Sequence, residues 1–363
     1  MFKRVPGTKD ILPDEISRWQ ALEASARDAF ALYNYKELRP PLIEEASLFD
    51  RSLGASTEIV QKQMFLIHNK DDLYALRPEG TASIVRSYIE NNLDKSGKIS
   101  KLFYLGPMFR LERPQKGRLR QFHHIGCEVI GSSSPGVDIE VISLAESILK
   151  AGGIKGYTLK INSLGCPQDK KKLMALLRDA LAGKKDSLCE DCRIRYGQNV
   201  LRILDCKQEG CRTIVGELGT GAVLCGECAE HFTRVKAGLE ALNIPYTYTP
   251  VLVRGLDYYT RTVFEFCHGA LGAQDAIGAG GRYDNLVAEL GGPAAGAAGF
   301  AFGVERLLIA APPEASNSGN KLVFVISLGE RAKEEGYNLL AQLRKAGIAA
   351  DTDYEDKSLK GAM

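Results

Sequence analysis

Arg254, Asp257, Tyr258, Tyr259 and Arg261 stand close together in LVRGLDYYTRTVFEF, residues 252–266. Phenols beside guanidinium and carboxylate groups suit a small polar zwitterion, because they offer donors and acceptors of both charge signs. GAGGRYDNL follows at 278–286 and GFAFGVERLL at 299–308. A glycine-rich turn lets backbone approach a ligand closely. Upstream, FRLERPQKGRLRQF at 109–122 gathers Arg110, Arg113, Lys116, Arg118 and Arg120 around Glu112. Guanidinium pairs bidentately with phosphate oxygens, so an arginine-rich strand–loop–strand suits a phosphorylated ligand. Phe122, at its end, could stack on a base.

A second chemistry is written in the cysteines. Of nine in the chain, six fall within 189–228: Cys189, Cys192, Cys206, Cys211, Cys225 and Cys228. Two C-x2-C pairs have the spacing of zinc knuckles. The expectation is either one structural Zn2+ held by four thiolates, with Cys189, Cys192, Cys225 and Cys228 the first choice, or reduced thiols. Basic residues nearby (Arg193, Arg195, Arg202, Lys207, Arg212) leave room for a nucleic-acid role. Cys127, Cys166 and Cys267 are isolated in sequence and read as packing residues.

The elements that must position these groups are legible from periodicity. Ile16, Trp19, Leu22, Ala26, Phe30 and Tyr33 fall near one face of a helix over 14–35. Pro40 and Pro41 exclude helix after it. Residues 64–76 read as a hairpin, RPEGT opens a helix near Thr81, and KLFYLGPMFRLE and QFHHIGCEVIG read as strands around the basic loop. A helix over 137–151 and a strand at YTLKINSLG follow. Strand composition returns at YTYTPVLV, and the run from 252 is strand-like with its polar cluster at the start. Hairpin-linked strands with helices gathered at intervals predict α+β with a mainly antiparallel sheet, not a doubly wound one.

Composition sets the outer limits. The 363 residues suggest two or three domains, and 45% apolar content supports a large core. A net charge of +2 gives no global field, so nucleic-acid contact would rely on local basic patches. The N-terminus MFKRVPGTKDILPDE has no apolar signal region and no run reaches a membrane span, which makes the cytoplasm the default and excludes a membrane partner. Neither a P-loop nor a strand–GxGxxG–helix fingerprint is visible.

Taken together and in order, GLDYYTRTVFEF and GAGGRY resemble the two histidine-specific signatures of histidyl-tRNA synthetases. F-R-x-E with R-x-x-x-F resembles motif 2 of the class II aminoacyl-tRNA synthetases, GFAFGVER resembles motif 3, and motif 1 is weakly represented around Pro41. The resemblance implies a class II antiparallel sheet flanked by helices. It also implies a homodimeric ligase that uses ATP, Mg2+, L-histidine and tRNA(His). Residue by residue, it implies Arg110 and Arg254 at the α-phosphate as the catalytic pair, with Glu112 also at the ATP. Phe122 would stack on adenine and Arg306 would cover the ring's other face. Glu79, Gly80 and Thr81 would border the amino acid, His124 would contact it, and Glu128 would bind its ammonium. Tyr258 and Tyr259 would line the imidazole pocket, with Gly278 and Gly280 in its wall.

Two departures qualify the match. His124 stands where the family usually has Gln, which predicts a contact sensitive to pH near neutrality. The family's anticodon-binding domain is about twice as long as the segment after the linker here, so the expectation is a partial α/β domain. That predicts a core at 1–165 and 241–312, a helical, Cys-rich insertion at 166–240, a linker at 313–320, and the partial domain at 321–363. The alternative reading is a non-catalytic regulatory subunit of histidine biosynthesis built on the same fold. The retained Arg110, Arg254 and Arg306 argue against it.

Overall fold

The computed structural model describes residues 2–54, 57–218, 223–272, 274–312, 322–354 and 359–362. Helix Pro13–Leu32 opens with proline at its first turn, where the missing N–H costs nothing, and buries Trp19, Leu22, Ala26, Ala29 and Phe30. In chain order, the early strands are β1 Lys36–Glu37, β2 Ile43–Glu45, β3 Phe65–Asn69, β4 Asp72–Leu76, β5 Ser100–Phe109 and β6 Gln121–Ile130. β7 Tyr157–Ser163, β8 Thr247–Tyr248, β9 Thr260–His268, β10 Ala276–Arg282 and β11 Ala297–Gly303 follow. β12 Val323–Val325 and β13 Ala350–Thr352 are the last.

Eight strands form one sheet in the order β1-β5-β6-β11-β10-β9-β7-β8. The interior pairs are antiparallel, and only the edge pairs β1/β5 and β7/β8 are parallel. The α+β, mainly antiparallel expectation holds. Hairpin β3–β4, joined by β2, makes a separate three-stranded sheet.

Side-chain alternation divides the large sheet into two faces. Ile125, Cys127 and Val129 of β6, Phe264 and Phe266 of β9, and Phe300 and Phe302 of β11 join one core. Helices Pro13–Leu32, Pro135–Ala151 and Gly226–Ala241 cover it with Phe30, Ile142 and Val235. Residues of opposite parity, Phe122, His124 and Glu128 of β6 and Glu265 of β9, face the cleft described below. Arg282 is fully buried at the end of β10, paired with Asp138 at 2.8 Å and Asp284 at 2.7 Å, so the GGRYD turn is pinned to helix Pro135–Ala151.

One sequence expectation fails here. The strand of the 252–266 run begins only at Thr260; Arg254 to Tyr259 form turns and loop, and β8 keeps just two residues of YTYTPVLV. Pro250 and Gly255 interrupt the alternation.

The chain divides into two compact units, Met1–Pro312 and Pro313–Met363. Segment 166–240 lies within the first and shares a core with it, Leu177, Cys192 and Leu201 clustering with Val253 and Tyr258. It is helical as expected, with two longer helices, Pro167–Leu181 and Gly226–Ala241, and two shorter ones, Glu190–Gln198 and Glu209–Glu217. The second unit is one β-α-β: β12 pairs in parallel with β13 across helix Glu330–Lys345. The expected linker at 313–320 lies outside the described residues.

Candidate active site

Glu128 sits at the floor of a cleft of about 540 Å³ and is 1% exposed. Its Oε1 accepts from Thr81 Oγ1 at 2.7 Å and Tyr104 Oη at 3.4 Å, and its Oε2 accepts from Tyr283 Oη. Gly299, across the strand pair, makes room for it: a Cβ there would stand 1.9 Å from Oε2. Three hydroxyl donors surround this carboxyl. Burial pushes its pKa up to about 8.

Glu79 is also buried, and burial raises its pKa. Its oxygens accept from the backbone N–H groups of Thr81 and Ala82 at 2.7 and 2.8 Å. It therefore caps helix Thr81–Glu90, satisfying two amides with no partner inside the helix, while still lining the cleft. Tyr258 and Tyr259 are 6% and 8% exposed, with ring centroids 4.7 Å apart. Tyr258 also meets Tyr283 edge-on at 5.6 Å.

The arginines lie along the same cleft. Arg110 Nε donates to the Pro78 carbonyl at 2.8 Å, and its guanidinium lies 5.2 Å from the Phe122 ring centroid. Arg254 pairs with Glu265, while its buried Nε has no hydrogen-bond partner. Arg306 ties the basic loop to β10, donating to Gly117 O at 2.8 Å and Ala276 O at 2.6 Å. Glu112 has a buried Oε2 without a hydrogen bond, 3.5 Å from Arg118 Nε.

The structure thus brings Glu79, Thr81, Arg110, Glu112, Phe122, His124, Glu128, Arg254, Tyr258, Tyr259, Gly278 and Arg306 to one cleft. Gly80 and Gly280 do not line it. A Cβ on Gly80 would lie 2.3 Å from the Tyr104 ring, and one on Gly280 would lie 2.6 Å from Phe264 on the helix-covered face. Gly278 also points that way, its Cβ position 2.0 Å from Phe302, so it meets the cleft through backbone while Ala279 has the facing parity. Sequence reasoning missed Tyr104, Tyr283, Glu265 and Gly299. Tyr283 stood inside the quoted GAGGRYDNL, but nothing local showed that it would meet Glu128.

His124 corrects a second expectation. It is enclosed, its Nδ1 has no hydrogen-bond partner, and its ring meets Phe122 edge-on at 5.2 Å. Burial, then the charges of Arg110, Arg77, His123 and Arg306, hold its pKa well below the ordinary histidine value. It is neutral through the neutral pH range, so it is not the switch its residue type suggests.

The cysteine expectation also changes. Cys189, Cys192, Cys225 and Cys228 do not form one set. Cys189 and Cys192 converge with Cys206 and Cys211, whereas Cys225 and Cys228 converge with Cys166 and Asp169. Sequence spacing identified each C-x2-C pair, but not which partners the chain would fold against it. Cys166, expected to be a packing residue, belongs to the second group.

No described helix is long and apolar enough to cross a membrane. The family model for histidyl-tRNA synthetase matches residues 7–307. The histidine–tRNA ligase of Geobacter sulfurreducens is 46% identical over 365 residues, covering 100% of this chain and 88% of that protein. That of Moorella thermoacetica is 47% identical over 376 residues, with 100% and 87% covered. The solved structure of apo S. aureus histidyl-tRNA synthetase superposes with a TM-score of 0.80 at 36% identity, covering 100% of this chain and 88% of that one. A Bacillus halodurans ATP phosphoribosyltransferase regulatory subunit/histidyl-tRNA synthetase shares the fold, with a TM-score of 0.71 at 22% identity over 97% of this chain and 93% of that one. Whole-length identity to ligases, a matching fold and one cleft holding the signature residues lead to a single assignment: the chain belongs to the histidyl-tRNA synthetase family.

Proposed function

We propose that this chain activates L-histidine with ATP to histidyl-adenylate and transfers the histidyl group to tRNA(His). The observation that carries the reading is the pairing, in one cleft, of a buried carboxyl ringed by hydroxyls with two arginines that approach from separate segments. Glu128 receives the ammonium of histidine, and Thr81, Tyr104 and Tyr283 hold the carboxyl in place. Glu79, Tyr258 and Tyr259 are the polar partners for the imidazole. A neutral imidazole carries one donor and one acceptor, so a site offering a carboxylate and phenols discriminates against an apolar ring of similar size. His124, neutral and with a free Nδ1, contributes a donor or an acceptor to the same ligand.

Arg110 and Arg254 stabilise charge as the carboxylate of histidine attacks the α-phosphate and the α–β phosphoanhydride bond breaks to release pyrophosphate. Positioning and electrostatics carry most of such a displacement, and a low-dielectric cleft strengthens both. Phe122 and Arg306 hold the adenine between them. Glu112 is the carboxylate suited to ATP-bound Mg2+, because one buried oxygen takes no hydrogen bond. When bound, the ion would neutralise phosphate charge. Zinc, in this reading, is structural and takes no part in the chemistry. The enzyme acts as a homodimer in the cytoplasm, and the basic loop at 113–120 meets the acceptor end of the tRNA. The regulatory alternative accounts less well for the retained arginines.

Histidine-dependent exchange of pyrophosphate into ATP tests the reading. Exchange that requires histidine and is absent with phenylalanine is the expected result. Folded, purified protein that exchanges nothing would overturn it.

A further inference from the structure

We propose that the chain binds two zinc ions in two separate four-donor sites, one of four thiolates and one of three thiolates and a carboxylate. The first is Cys189, Cys192, Cys206 and Cys211; the second is Cys166, Asp169, Cys225 and Cys228. Within each set all ligand atoms lie within 4.8 Å of one another. A zinc–sulfur bond of about 2.3 Å puts thiolates about 3.8 Å apart on a tetrahedron. The Cys189 and Cys206 sulfurs are already 3.9 Å apart. All these cysteines are free, so the sulfurs converge without covalent bonds.

A shared local rule builds both sites. Cys166, Cys189 and Cys225 each occupy the position just before a helix, at Pro167–Leu181, Glu190–Gln198 and Gly226–Ala241. Their partners Asp169, Cys192 and Cys228 stand three residues on, so each pair brings two donors together at a helix N-terminus. The positive end of the helix dipole favours thiolate there. In the second site two such pairs meet face to face. Asp169 already binds across it, accepting from Cys225 N at 3.1 Å and Cys166 N at 3.4 Å. In the first site one pair meets Cys206 and Cys211, and Cys189 N donates to Cys211 Sγ at 3.3 Å. Zn2+ accepts both donor sets, and with all four positions filled by protein each site is structural.

The first site also supports the cleft. Between its ligands, Asn199 Nδ2 donates to Asp257 Oδ1 at 2.8 Å and Arg202 Nη1 donates to the Arg254 carbonyl at 3.3 Å. Metal there would fix the segment that holds the 254–257 loop. The inference stands on donor geometry and does not depend on the proposed activity.

Protein purified without chelator should carry two zinc per chain by elemental analysis. Cys211→Ser and Cys228→Ser should each lower this to one. Cobalt exchanged into the wild-type protein guards against misfolded variants: two equivalents should bind, with thiolate-to-cobalt charge-transfer absorption accounting for seven thiolates. One zinc that is lost in both variants would mean a single mixed site and would overturn the proposal. Zero zinc, with the seven thiols freely titratable or oxidised to disulfides, would overturn it as well.

Discussion

Thr81 Oγ1 donates to Glu128 Oε1 at 2.7 Å, joining the first residue of helix Thr81–Glu90 to the interior strand β6. The bond closes a buried network in which the hydrogen-bond partners of Glu128, among the described residues, are hydroxyls. Its chemistry therefore waits on the ligand.

Glu128 should make histidine binding release a proton. Its pKa stands at about 8 through burial, so the free site holds the proton at neutral pH, and an ammonium beside it favours the carboxylate. Affinity for histidine should rise with pH towards 8. The sign for stability is the reverse. An acid raised from 4.5 to about 8 stabilises the fold most below 4.5 and loses that contribution as pH rises through 8. Titration calorimetry in two buffers of different ionisation enthalpy measures the proton, and Glu128→Gln should abolish it. An unchanged proton count in that variant would remove Glu128 from the ammonium site.

Arg254→Ala and Arg110→Ala should each lower the exchange rate by about 10²–10³, the scale for one oriented group facing transition-state charge. Arg254→Ala also leaves Glu265 without its counter-ion, which should lower the melting temperature. Adding Glu265→Gln should restore stability and leave exchange low. Recovery of both together would show that Arg254 matters only for folding.

Gly80→Ala should destabilise the core by about 1–3 kcal/mol, because the new methyl meets a ring that cannot move freely. Its Cβ would lie 2.3 Å from Tyr104 Cε2. Combining it with Tyr104→Leu should return most of the loss. Denaturant midpoints of the single and double variants decide the point, and a double variant no better than Gly80→Ala would assign the cost elsewhere.

His124 should show no titration between pH 6 and 8, since burial and neighbouring positive charge hold it neutral. Imidazole nitrogen shifts of the labelled protein are the measurement. A midpoint near the ordinary histidine value would mean that the ring is far more solvated than its enclosure implies.

By itself the sequence determined the type of chemistry and most of the frame. The 3.6-residue periodicity around Trp19 to Phe30, the hairpin at 64–76 and the strands flanking the arginine loop all follow from local pattern, because side-chain alternation and turn chemistry act over a few residues. Many polar residues of the cleft, such as Glu79, Arg110 and Glu128, could be named because contiguous motifs resemble those of a known family, whereas Tyr104, Tyr283 and Glu265 could not. Tertiary structure decided what those motifs meet. Parity on β6 turned Phe122, His124 and Glu128 to one face, and parity on β10 turned Gly278 and Gly280 to the other. Tyr283 reached Glu128 from 155 residues away. Burial and neighbouring positive charge push the His124 pKa down, which the residue type by itself does not reveal. The cysteine pairs were visible as spacing, but their partners were chosen by how helices Pro167–Leu181, Glu190–Gln198, Glu209–Glu217 and Gly226–Ala241 pack. Contacts between residues far apart in the chain depend on the path of the backbone between them, and no local pattern encodes that path.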